Sequence, residues 1–420
     1  MSGAVSEAAP VVVNGEVSSI GKAAVLQGAN RFVCMIAYTN YAIDARVRRE
    51  AETLASHGYR VRCLTTKNGA ARAQFVLNGV EVRELSVQKF RGKSTLAYIS
   101  SYLRFLLVSS AACLRLLIAG ELDVVHVHNL PDFLAFAGLL PRLAGRRVVL
   151  DVHDSVPETF ASKFSDRPII QKALCFEERL SARVAHKVIC VNHPQRDALV
   201  ARGIPASKTF ISMNVPDPAI FKRPSIEGLP TVPGKYFNLV YHGTMVERLG
   251  VDLIIRAVGL LRGRIPGVRL HLWGHGDDLD NFQRLAGELG IGDLVFFKPK
   301  GFALEQLPGQ LASMNLGVVG NRRNAATDLM LPVKLMEFVS QGIPAVVPRL
   351  KTIEHYFSES MVTYYEPENV ESLAHAIYRL YCEPERRSVQ VVHAGAFLSE
   401  YGWERQGAEF VNFYRQLMEN

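Results

Sequence analysis

Residues 243–250 combine a cation with a glycine-flanked turn, an arrangement that suits a diphosphate. Their sequence, Gly-Thr-Met-Val-Glu-Arg-Leu-Gly, follows an apolar stretch that predicts a strand and precedes one that predicts a helix. Backbone N–H groups at a helix N-terminus bind phosphate oxygens, and Arg248 can add a charge-assisted contact. An exposed arginine in an ordinary turn explains the same residues equally well.

A second candidate segment is Leu331–Phe338, with the sequence Leu-Pro-Val-Lys-Leu-Met-Glu-Phe. Pro332 suits the first turn of a helix. Lys334 and Glu337 are three residues apart and therefore share one helical face. A lysine can neutralise phosphate while a carboxylate accepts hydrogen bonds from ribose hydroxyls, which is the polarity that a nucleoside diphosphate needs. A surface ion pair is the simpler alternative.

Other motifs are weak or missing. Gly274-His275-Gly276 lacks the third glycine of a dinucleotide-binding loop and predicts a tight turn. The sequence contains no G-x-x-x-x-G-K-[ST], which argues against a P-loop NTPase, and no zinc-ligand spacing. His126 and His128 point to the same face of a predicted strand. With no cysteine or further histidine nearby in the sequence, we expect no metal site there.

The charge of the chain is unevenly distributed. The 420 residues have a formal net charge of +8, but residues 1–215 carry +10 and residues 216–420 carry −2. This favours an acidic partner for the N-terminal half, such as an anionic membrane, a phosphate ligand or nucleic acid. The six cysteines form no C-x-x-C pair and most lie in apolar runs, which predicts buried thiols in a reducing compartment.

Strand patterns alternate with helical patterns along almost the whole chain. The predicted strands are 31–37, 60–65, 123–128, 147–154, 187–192, 210–215, 237–241, 268–273, 294–298, 315–319, 344–347 and 362–365. Repeated βα units predict an α/β fold of two Rossmann-like domains, each with a parallel sheet covered by helices on both faces. Ligands of such sheets bind beyond the carboxyl ends of the strands, so we expect the chemistry in a central cleft that both domains face.

The domain boundaries follow from a proline-rich break at 216–235. Residues 1–30 lack the basic start and apolar core of a signal peptide, and we expect a disordered leader. We predict an N-terminal domain over 31–215, a linker over 216–235, a C-terminal domain over 236–400, and a helix over 401–420 that packs back on the N-terminal domain.

The stretch 103–118 is the most apolar helical segment of the chain. Arg104 and Arg115 interrupt it, and because they are eleven residues apart they share one helical face. A basic cluster of Lys89, Arg91 and Lys93 lies just upstream. Peripheral contact with an anionic membrane is one interpretation. The alternative is a helix packed on the sheet with solvated arginines.

Five segments in this order carry a family resemblance: TNYAIDARVRREAETLASHGYRV, DVVHVHNLPDFL, LDVHDSVPETF, VYHGTMVERLGVDLIIRA and LPVKLMEFVSQGIPAVV. Together they are similar to the retaining glycosyltransferases of the GT-B fold, family 4. The resemblance covers about residues 31–418. It implies that a hexose is transferred from a nucleotide-diphosphate sugar, with retained anomeric configuration, to a saccharide or lipid-linked acceptor in bacterial polysaccharide or glycoconjugate synthesis.

The resemblance also implies roles for individual residues, with the donor on the C-terminal domain and the acceptor against the N-terminal domain. Catalytic roles fall on His153, Asp154, Arg248 and Lys334. Donor-binding roles fall on Gly243, Thr244, Arg248, Gly274, Asp328, Leu331, Lys334 and Glu337. Acceptor-side roles fall on Asn40, Asp44, Arg46, His128 and Asn129. In particular, Glu337 matches the second acid of the E-x7-E motif, which holds the ribose, and His153 matches the histidine that approaches the donor sugar.

The sequence departs from the family pattern at two places. The first acid of E-x7-E falls on Leu329, with Asp328 one residue away. The usual phosphate-binding arginine and lysine fall on Thr244 and Leu249, and we expect Arg248 to substitute for them.

No cofactor and no metal are expected, because protein cations can stabilise the leaving diphosphate. The family implies front-face attack, in which the leaving phosphate takes the acceptor proton. A nucleotide-sugar epimerase of the same fold is the alternative. A nucleic-acid binder is disfavoured because no RRM, KH or helix-turn-helix signature is present. We expect a cytoplasmic enzyme, at the inner face of the cell membrane if the membrane contact holds.

Overall fold

A computed structural model describes residues 31–67, 73–90, 94–162, 167–224 and 235–419. The predicted leader and residues 225–234 of the predicted linker lie outside the described residues, as do Arg91 and Lys93 of the basic cluster.

The N-terminal sheet has eight strands in the described residues, in the order β3-β4-β2-β1-β5-β6-β7-β8. They are β1 Phe32–Ala37, β2 Arg60–Lys67, β3 Gln74–Leu77, β4 Val80–Gln88, β5 Val124–His128, β6 Arg147–Val152, β7 Lys187–Cys190 and β8 Thr209–Ile211. All neighbours are parallel except β3 and β4, which form an antiparallel hairpin. The sequence analysis missed this hairpin, although Asn78-Gly79, both at positive φ, is a strong hairpin signal.

The C-terminal sheet is parallel and has six described strands in the order β11-β10-β9-β12-β13-β14. They are β9 Phe237–His242, β10 Val268–Trp273, β11 Val295–Lys298, β12 Leu316–Val318, β13 Ala345–Pro348 and β14 Thr363–Tyr365. The strand order reverses between β9 and β12. The connections that follow these two strands run to opposite sides, and this leaves a crevice at the carboxyl ends of the strands.

Helices connect the strands. In the N-terminal domain they are α1 Ala45–Ser56, α2 Thr95–Ile118, α3 Leu139–Leu143, α4 Val156–Ala161, α5 Pro168–Val184 and α6 His193–Ala201. After the linker they are α7 Val251–Leu261, α8 Leu279–Glu288, α9 Leu307–Leu311, α10 Ala325–Asp328, α11 Val333–Ser340, α12 Lys351–Tyr356, α13 Val370–Cys382, α14 Pro384–Tyr401 and α15 Trp403–Glu419.

The central strands are buried on both faces, which explains their continuous apolar runs. Every residue of β1 and of β5 is buried, including His126 and His128 of β5. Parallel strands covered by helices have no solvent-facing side and therefore lack the alternation of polar and apolar residues. Four of the six cysteines are buried as expected, whereas Cys175 is partly exposed and Cys382 is exposed.

The last helix, α15, returns to the N-terminal domain. The indole of Trp403 donates a hydrogen bond to Thr53 on α1 at 3.0 Å, and Arg49 of α1 lies over its ring at 4.3 Å. Further along, Phe413 stacks on Phe210 of β8 with 4.4 Å between the ring centroids. The chain thus crosses between the domains a second time, and α15 fixes one side of the cleft.

Candidate active site

A cavity of about 270 Å³ lies between the two domains. From the N-terminal domain it is lined by residues that include Arg46, His153, Asp154, Asn192 and Asn214. From the C-terminal domain it is lined by residues that include Ala326, Leu329, Met330, Leu331, Pro332, Val333 and Met336. The N-terminus of α11 therefore opens onto the cleft opposite the loop that follows β6. Pro332 occupies the N-cap position of α11, one residue before the first turn in which we expected it.

Lys334 is a buried cation beside the loop that follows β9. Its Nζ lies 3.8 Å from the centroid of the Tyr241 ring, and a side chain at Gly243 would begin 3.7 Å from the same atom. Burial lowers the pKa of Lys334 to about 7; Glu337 opposes that shift and the like charge of Arg248 adds to it. Gly243, Arg248 and Lys334 are therefore brought together, and an anionic ligand there would relieve the repulsion between the two cations.

Glu337 lies on the same face of α11, next to His242 at the end of β9. Its Oε2 is 3.3 Å from His242 Nε2. Burial raises the pKa of Glu337 to about 7, against the opposing charge of Lys334, whereas burial and Lys334 together lower the pKa of His242 to about 3. Glu337 also lines a second, smaller cavity of about 60 Å³, and Val333 borders both cavities.

Gly274 has a packing function. Its φ is +146°, and a Cβ atom there would lie 1.9 Å from the carbonyl oxygen of Gly243. The two loops are joined by hydrogen bonds from Gly243 N to Trp273 O at 2.8 Å and from Met245 N to His275 O at 3.0 Å. The tight-turn explanation therefore accounts for Gly274, whose backbone packs against the loop after β9. The side chain of Thr244 is exposed, and its carbonyl oxygen accepts a hydrogen bond from the Tyr241 hydroxyl.

Asp328 is not brought to the cavity, contrary to its expected donor-binding role. Its carboxylate accepts a hydrogen bond from Lys351 N at 3.4 Å, and its carbonyl accepts one from the Thr352 hydroxyl at 2.6 Å, so it holds the start of α12. Leu329 lines the cavity instead, and its carbonyl accepts a hydrogen bond from Asn192 across the domain boundary at 2.8 Å. In this structure Asp328 thus contacts α12 and is not among the residues that line the cavity.

The loop after β6 is held by Asn129, which was expected on the acceptor side. Its side-chain oxygen accepts hydrogen bonds from His153 N at 2.8 Å and from Asp154 N at 3.4 Å. Its side-chain nitrogen donates to Asp132 at 2.6 Å and to the carbonyl of Asp154 at 2.8 Å. Both the oxygen and the nitrogen of the Asn129 amide thus make hydrogen bonds within the protein. Asn129 orients the cavity-lining residues His153 and Asp154 and does not itself line the cavity.

Three further acceptor-side assignments also correspond to structural contacts. The side chain of Asn40 accepts a hydrogen bond from Ala42 N, and that of Asp44 caps α1 by accepting one from Val47 N. The ring of His128 is buried and contacts Asp151 at 3.1 Å. These side chains are absent from the lining of the interdomain cavity, whereas Arg46, the remaining acceptor-side residue, belongs to it.

Beneath the cavity lies a buried polar network that was not predicted from the sequence. It consists of Arg46 and Glu50 on α1, His126 and His128 on β5, Asp151 on β6 and His153 directly after β6. The rings of His126 and His128 stack with 4.2 Å between centroids, and His128 Nδ1 is 3.0 Å from His153 Nε2. No further histidine lies near this pair in the sequence, but the fold brings His153 beside it. The alternation of Asp151 and His153 in the predicted strand 147–154 places both on one face and could have signalled this.

Glu50, His126, His128 and Asp151 offer ligand atoms within 4.8 Å of one another, a spacing that could hold a metal ion. The two carboxylates already share a cation, because Arg46 Nη2 lies 2.7 Å from Asp151 and 3.2 Å from Glu50. Because this buried guanidinium contacts both carboxylates, we interpret the cluster as an ion-pair network. The expected independence from metal stays a prediction.

Two Rossmann-like domains that meet at a cleft, with a glycine-containing loop after β9 and the N-terminus of α11 on the second domain, are the arrangement of the GT-B architecture. Sucrose-phosphate synthase of Thermosynechococcus elongatus has the same fold, with a TM-score of 0.75 at 18% identity over 93% of this chain and 99% of that one. The HepE protein of Anabaena, solved in complex with UDP, aligns with a TM-score of 0.66 at 15% identity over 92% of this chain and all of that one.

Residues 42–213 match the family model "Glycosyl transferase 4-like domain" and residues 236–383 match "Glycosyl transferases group 1". The chain belongs to this glycosyltransferase family. A curated relative is the GDP-mannose-dependent alpha-(1-6)-phosphatidylinositol monomannoside mannosyltransferase of Mycolicibacterium smegmatis, which is 29% identical over 168 residues, or 39% of this chain and 44% of the relative. The chain thus spans about half the length of this relative and of the corresponding Mycobacterium tuberculosis enzyme.

Proposed function

We propose that this protein transfers a sugar from a nucleotide-diphosphate donor to a saccharide or lipid-linked acceptor, with retention, in polysaccharide or glycoconjugate synthesis. The observation that carries the proposal is the buried Lys334 of α11, placed with Arg248 beside the loop after β9. A bound anion would stabilise the charged form of a buried ammonium group whose pKa is lowered. Relatives that bind UDP or depend on GDP-mannose support the assignment of a nucleotide sugar.

The donor would span the two cavities that meet at Val333. Its diphosphate would lie at the N-terminus of α11, near Arg248 and Lys334, and its ribose hydroxyls would donate hydrogen bonds to Glu337. The sugar would then extend into the larger cavity toward His153. Apolar side chains of the segment from Leu329 to Leu331 occupy the position of the missing first acid.

Transfer breaks the bond between the anomeric carbon and the β-phosphate oxygen and forms a bond from that carbon to the acceptor oxygen. Negative charge develops on the leaving diphosphate, where Arg248, Lys334 and the N–H groups of α11 would stabilise it. With attack on the same face, the departing phosphate takes the acceptor proton, so no separate general base is required. His153 would orient the sugar, and Asp154 would support it from the same loop.

Thermal-shift screening against UDP-, GDP- and dTDP-sugars, followed by transfer assays on the donor that stabilises most, tests this proposal. Stabilisation by a nucleotide sugar and acceptor-dependent release of the nucleoside diphosphate are expected. Conversion of the donor to its epimer without any acceptor would favour the epimerase alternative. Absence of stabilisation by every donor would contradict the donor site itself.

We further propose that the acceptor is reached at the cytoplasmic face of an anionic membrane. One side of α2 carries an outer row of large apolar side chains that the structure leaves exposed: Leu96, Ile99, Leu103, Leu107, Leu114 and Ile118. The opposite side, with Phe105 and Cys113, packs on the N-terminal sheet. The alternative in which Leu103, Leu107 and Leu114 cover the sheet does not fit, because these residues are 47%, 69% and 37% exposed.

Basic residues flank the outer row. Arg104 lines an open groove beside β4 together with Lys67, and Arg115 lines a second groove together with Arg83. In length and composition Leu96–Ile118 could cross a membrane, and 28% of its apolar 18-residue window is buried. Because its inner side is part of the domain core, we propose that α2 lies flat on the bilayer, with the outer row in the interface and the arginines at the headgroups.

A further inference from the structure

Asp151 lies directly behind His153, the residue that we place against the donor sugar. It is fully buried near the end of β6, and its Oδ2 lies 2.9 Å from His153 Nε2. The same oxygen lies 3.1 Å from Nδ1 of His128 on the adjacent strand. The Nε2 edge of the His153 ring therefore faces into the domain, and Nδ1 is the ring nitrogen left for a ligand in the cavity.

Arg46 holds the Asp151 carboxylate in place. Its Nε donates to Oδ2 at 3.0 Å and its Nη2 donates to Oδ1 at 2.7 Å, while its Nη1 donates to the carbonyl of Ser212 at 2.9 Å. A bidentate guanidinium fixes both the position and the plane of a carboxylate. Asp151 is thus a rigid acceptor, and the orientation of His153 follows from a contact between α1 and β6.

The charges around His153 come from three elements. Burial works to lower the pKa of His153, but the Asp151 carboxylate more than offsets it, so that this pKa lies above its ordinary value. Arg46 on α1 opposes the rise and Asp44 on α1 supports it. His128 on β5 is neutral, because burial and the neighbouring His126 hold its pKa well below the usual range.

We infer that Asp151 is a positioning residue for glycosyl transfer: it keeps His153 protonated at Nε2 and turns Nδ1 toward the cleft, where the imidazolium donates a hydrogen bond to the bound donor. Arg46 is the cation that keeps this carboxylate ionised. The inference rests on the proposed function for its catalytic consequence, but the relationship between Asp151 and His153 can be measured without any turnover.

The first measurement is NMR of the wild-type protein labelled with ¹⁵N-histidine, with the His153 signals assigned by comparison with His153→Gln. We expect His153 to titrate above pH 6.5, the ordinary value, and to carry its proton on Nε2 at high pH. Titration below that value, or a proton on Nδ1, would overturn the inference. Because no substrate is involved, this result does not depend on whether the proposed function is correct.

The second measurement is the pH profile of transfer by Asp151→Asn. The Asp151 carboxylate raises the pKa of His153 and so keeps the imidazolium charged to higher pH. In Asp151→Asn, activity should therefore disappear at a pH about one unit lower than in the wild type. We also expect kcat to fall at least tenfold, with a smaller change in donor KM. Asp123→Asn is the matched control, because it removes an ion pair with Arg31 at the opposite end of the same sheet. An unshifted profile in a folded Asp151→Asn would also overturn the inference; if that variant does not fold, the wild-type titration decides.

Discussion

Glu337 Oε2 lies 3.3 Å from His242 Nε2, so α11 meets the end of β9 directly beside the Lys334 ammonium. The low pKa of His242, about 3, keeps that ring neutral at physiological pH, and it cannot balance the Glu337 carboxylate. Lys334 is therefore the cation on which Glu337 depends. Burial moves both pKa values to about 7, downward for the lysine and upward for the glutamate. A bound diphosphate would shift this balance toward the ammonium form.

Nucleotide affinity should fall as the pH rises above about 7. A neutral Lys334 must take up a proton before it can neutralise the diphosphate, and uptake of one proton costs up to tenfold in affinity per pH unit. Calorimetric titration of UDP and GDP in two buffers of different ionisation enthalpy measures this uptake. Lys334→Arg stays charged throughout this range, so its affinity should be nearly independent of pH; the same slope in both proteins would contradict the prediction.

Glu337→Ala should weaken binding of the nucleoside diphosphate roughly 10–150-fold. The reason is the loss of hydrogen bonds from ribose hydroxyls to a charged acceptor, which contribute about 1.5–3 kcal/mol. Calorimetry with UDP and GDP gives the affinity. Glu288→Ala is the control, because Glu288 is an exposed partner of Arg284 on α8. This variant should bind the nucleoside diphosphate with wild-type affinity. If a folded Glu337→Ala binds UDP and GDP with wild-type affinity, Glu337 does not hold the ribose.

Arg248→Ala and Lys334→Ala should each reduce kcat by about 10²–10³-fold, the usual effect of removing one preorganised group that stabilises developing charge. Thr244→Ala is the matched control within the same loop. Its exposed side chain can be truncated without touching the carbonyl that Tyr241 contacts, so turnover should stay near wild type. Steady-state kinetics with a saturating donor makes the comparison. If Arg248→Ala turns over normally, this arginine does not substitute for the family's usual phosphate-binding residues.

Chelation of metal ions should leave transfer largely intact. The cations proposed to face the donor are protein side chains, and the carboxylates beneath the cleft are both paired with Arg46. The measurement is the initial rate before and after dialysis against EDTA, followed by addition of Mg²⁺ or Mn²⁺. A loss on dialysis that either ion restores would show that a metal contributes to the reaction.

The features that the sequence predicted well are those that depend on local pattern. Strands such as β1 and β5 are buried on both faces and therefore appear as unbroken apolar runs. Lys334 and Glu337 share a face because the helical period places residues three apart together. Asp44 is of a residue type that often caps helices, and the hydrogen bond that its side chain accepts from Val47 N explains the residue without an acceptor.

What the sequence could not supply are contacts between distant segments. Arg46 and Asp151 are 105 residues apart, and nothing local distinguishes this arginine from Arg48 and Arg49. Asp328 and Leu329 are adjacent, but successive residues of a helical turn point about 100° apart, so the leucine faces the cavity while the aspartate faces α12. Only the packing of α10 between its neighbours decides which of the two reaches the donor side.

The N-terminal domain should bind anionic vesicles through α2. The outer row supplies apolar side chains, and Lys89, Arg104 and Arg115, together with Arg91 and Lys93 outside the described residues, supply positive charge. Near an anionic surface each basic residue contributes about 1 kcal/mol, and the effect is screened beyond a Debye length of about 8 Å at physiological salt. Sedimentation with phosphatidylglycerol-containing liposomes should therefore show reversible binding that is strongest at low salt.

Two variants separate the electrostatic and apolar contributions to this binding. Changing the five basic residues to Gln should abolish the salt dependence and most of the binding, whereas Leu103→Gln with Leu107→Gln should weaken binding at all salt concentrations. Leu260→Gln with Leu289→Gln is the control, because these leucines are 48% and 38% exposed on the C-terminal domain, away from α2. If the wild type and the five-residue variant bind the vesicles equally, the membrane proposal is wrong. If the control pair weakens binding as much as the α2 pair does, the effect of exposed leucines does not depend on their position.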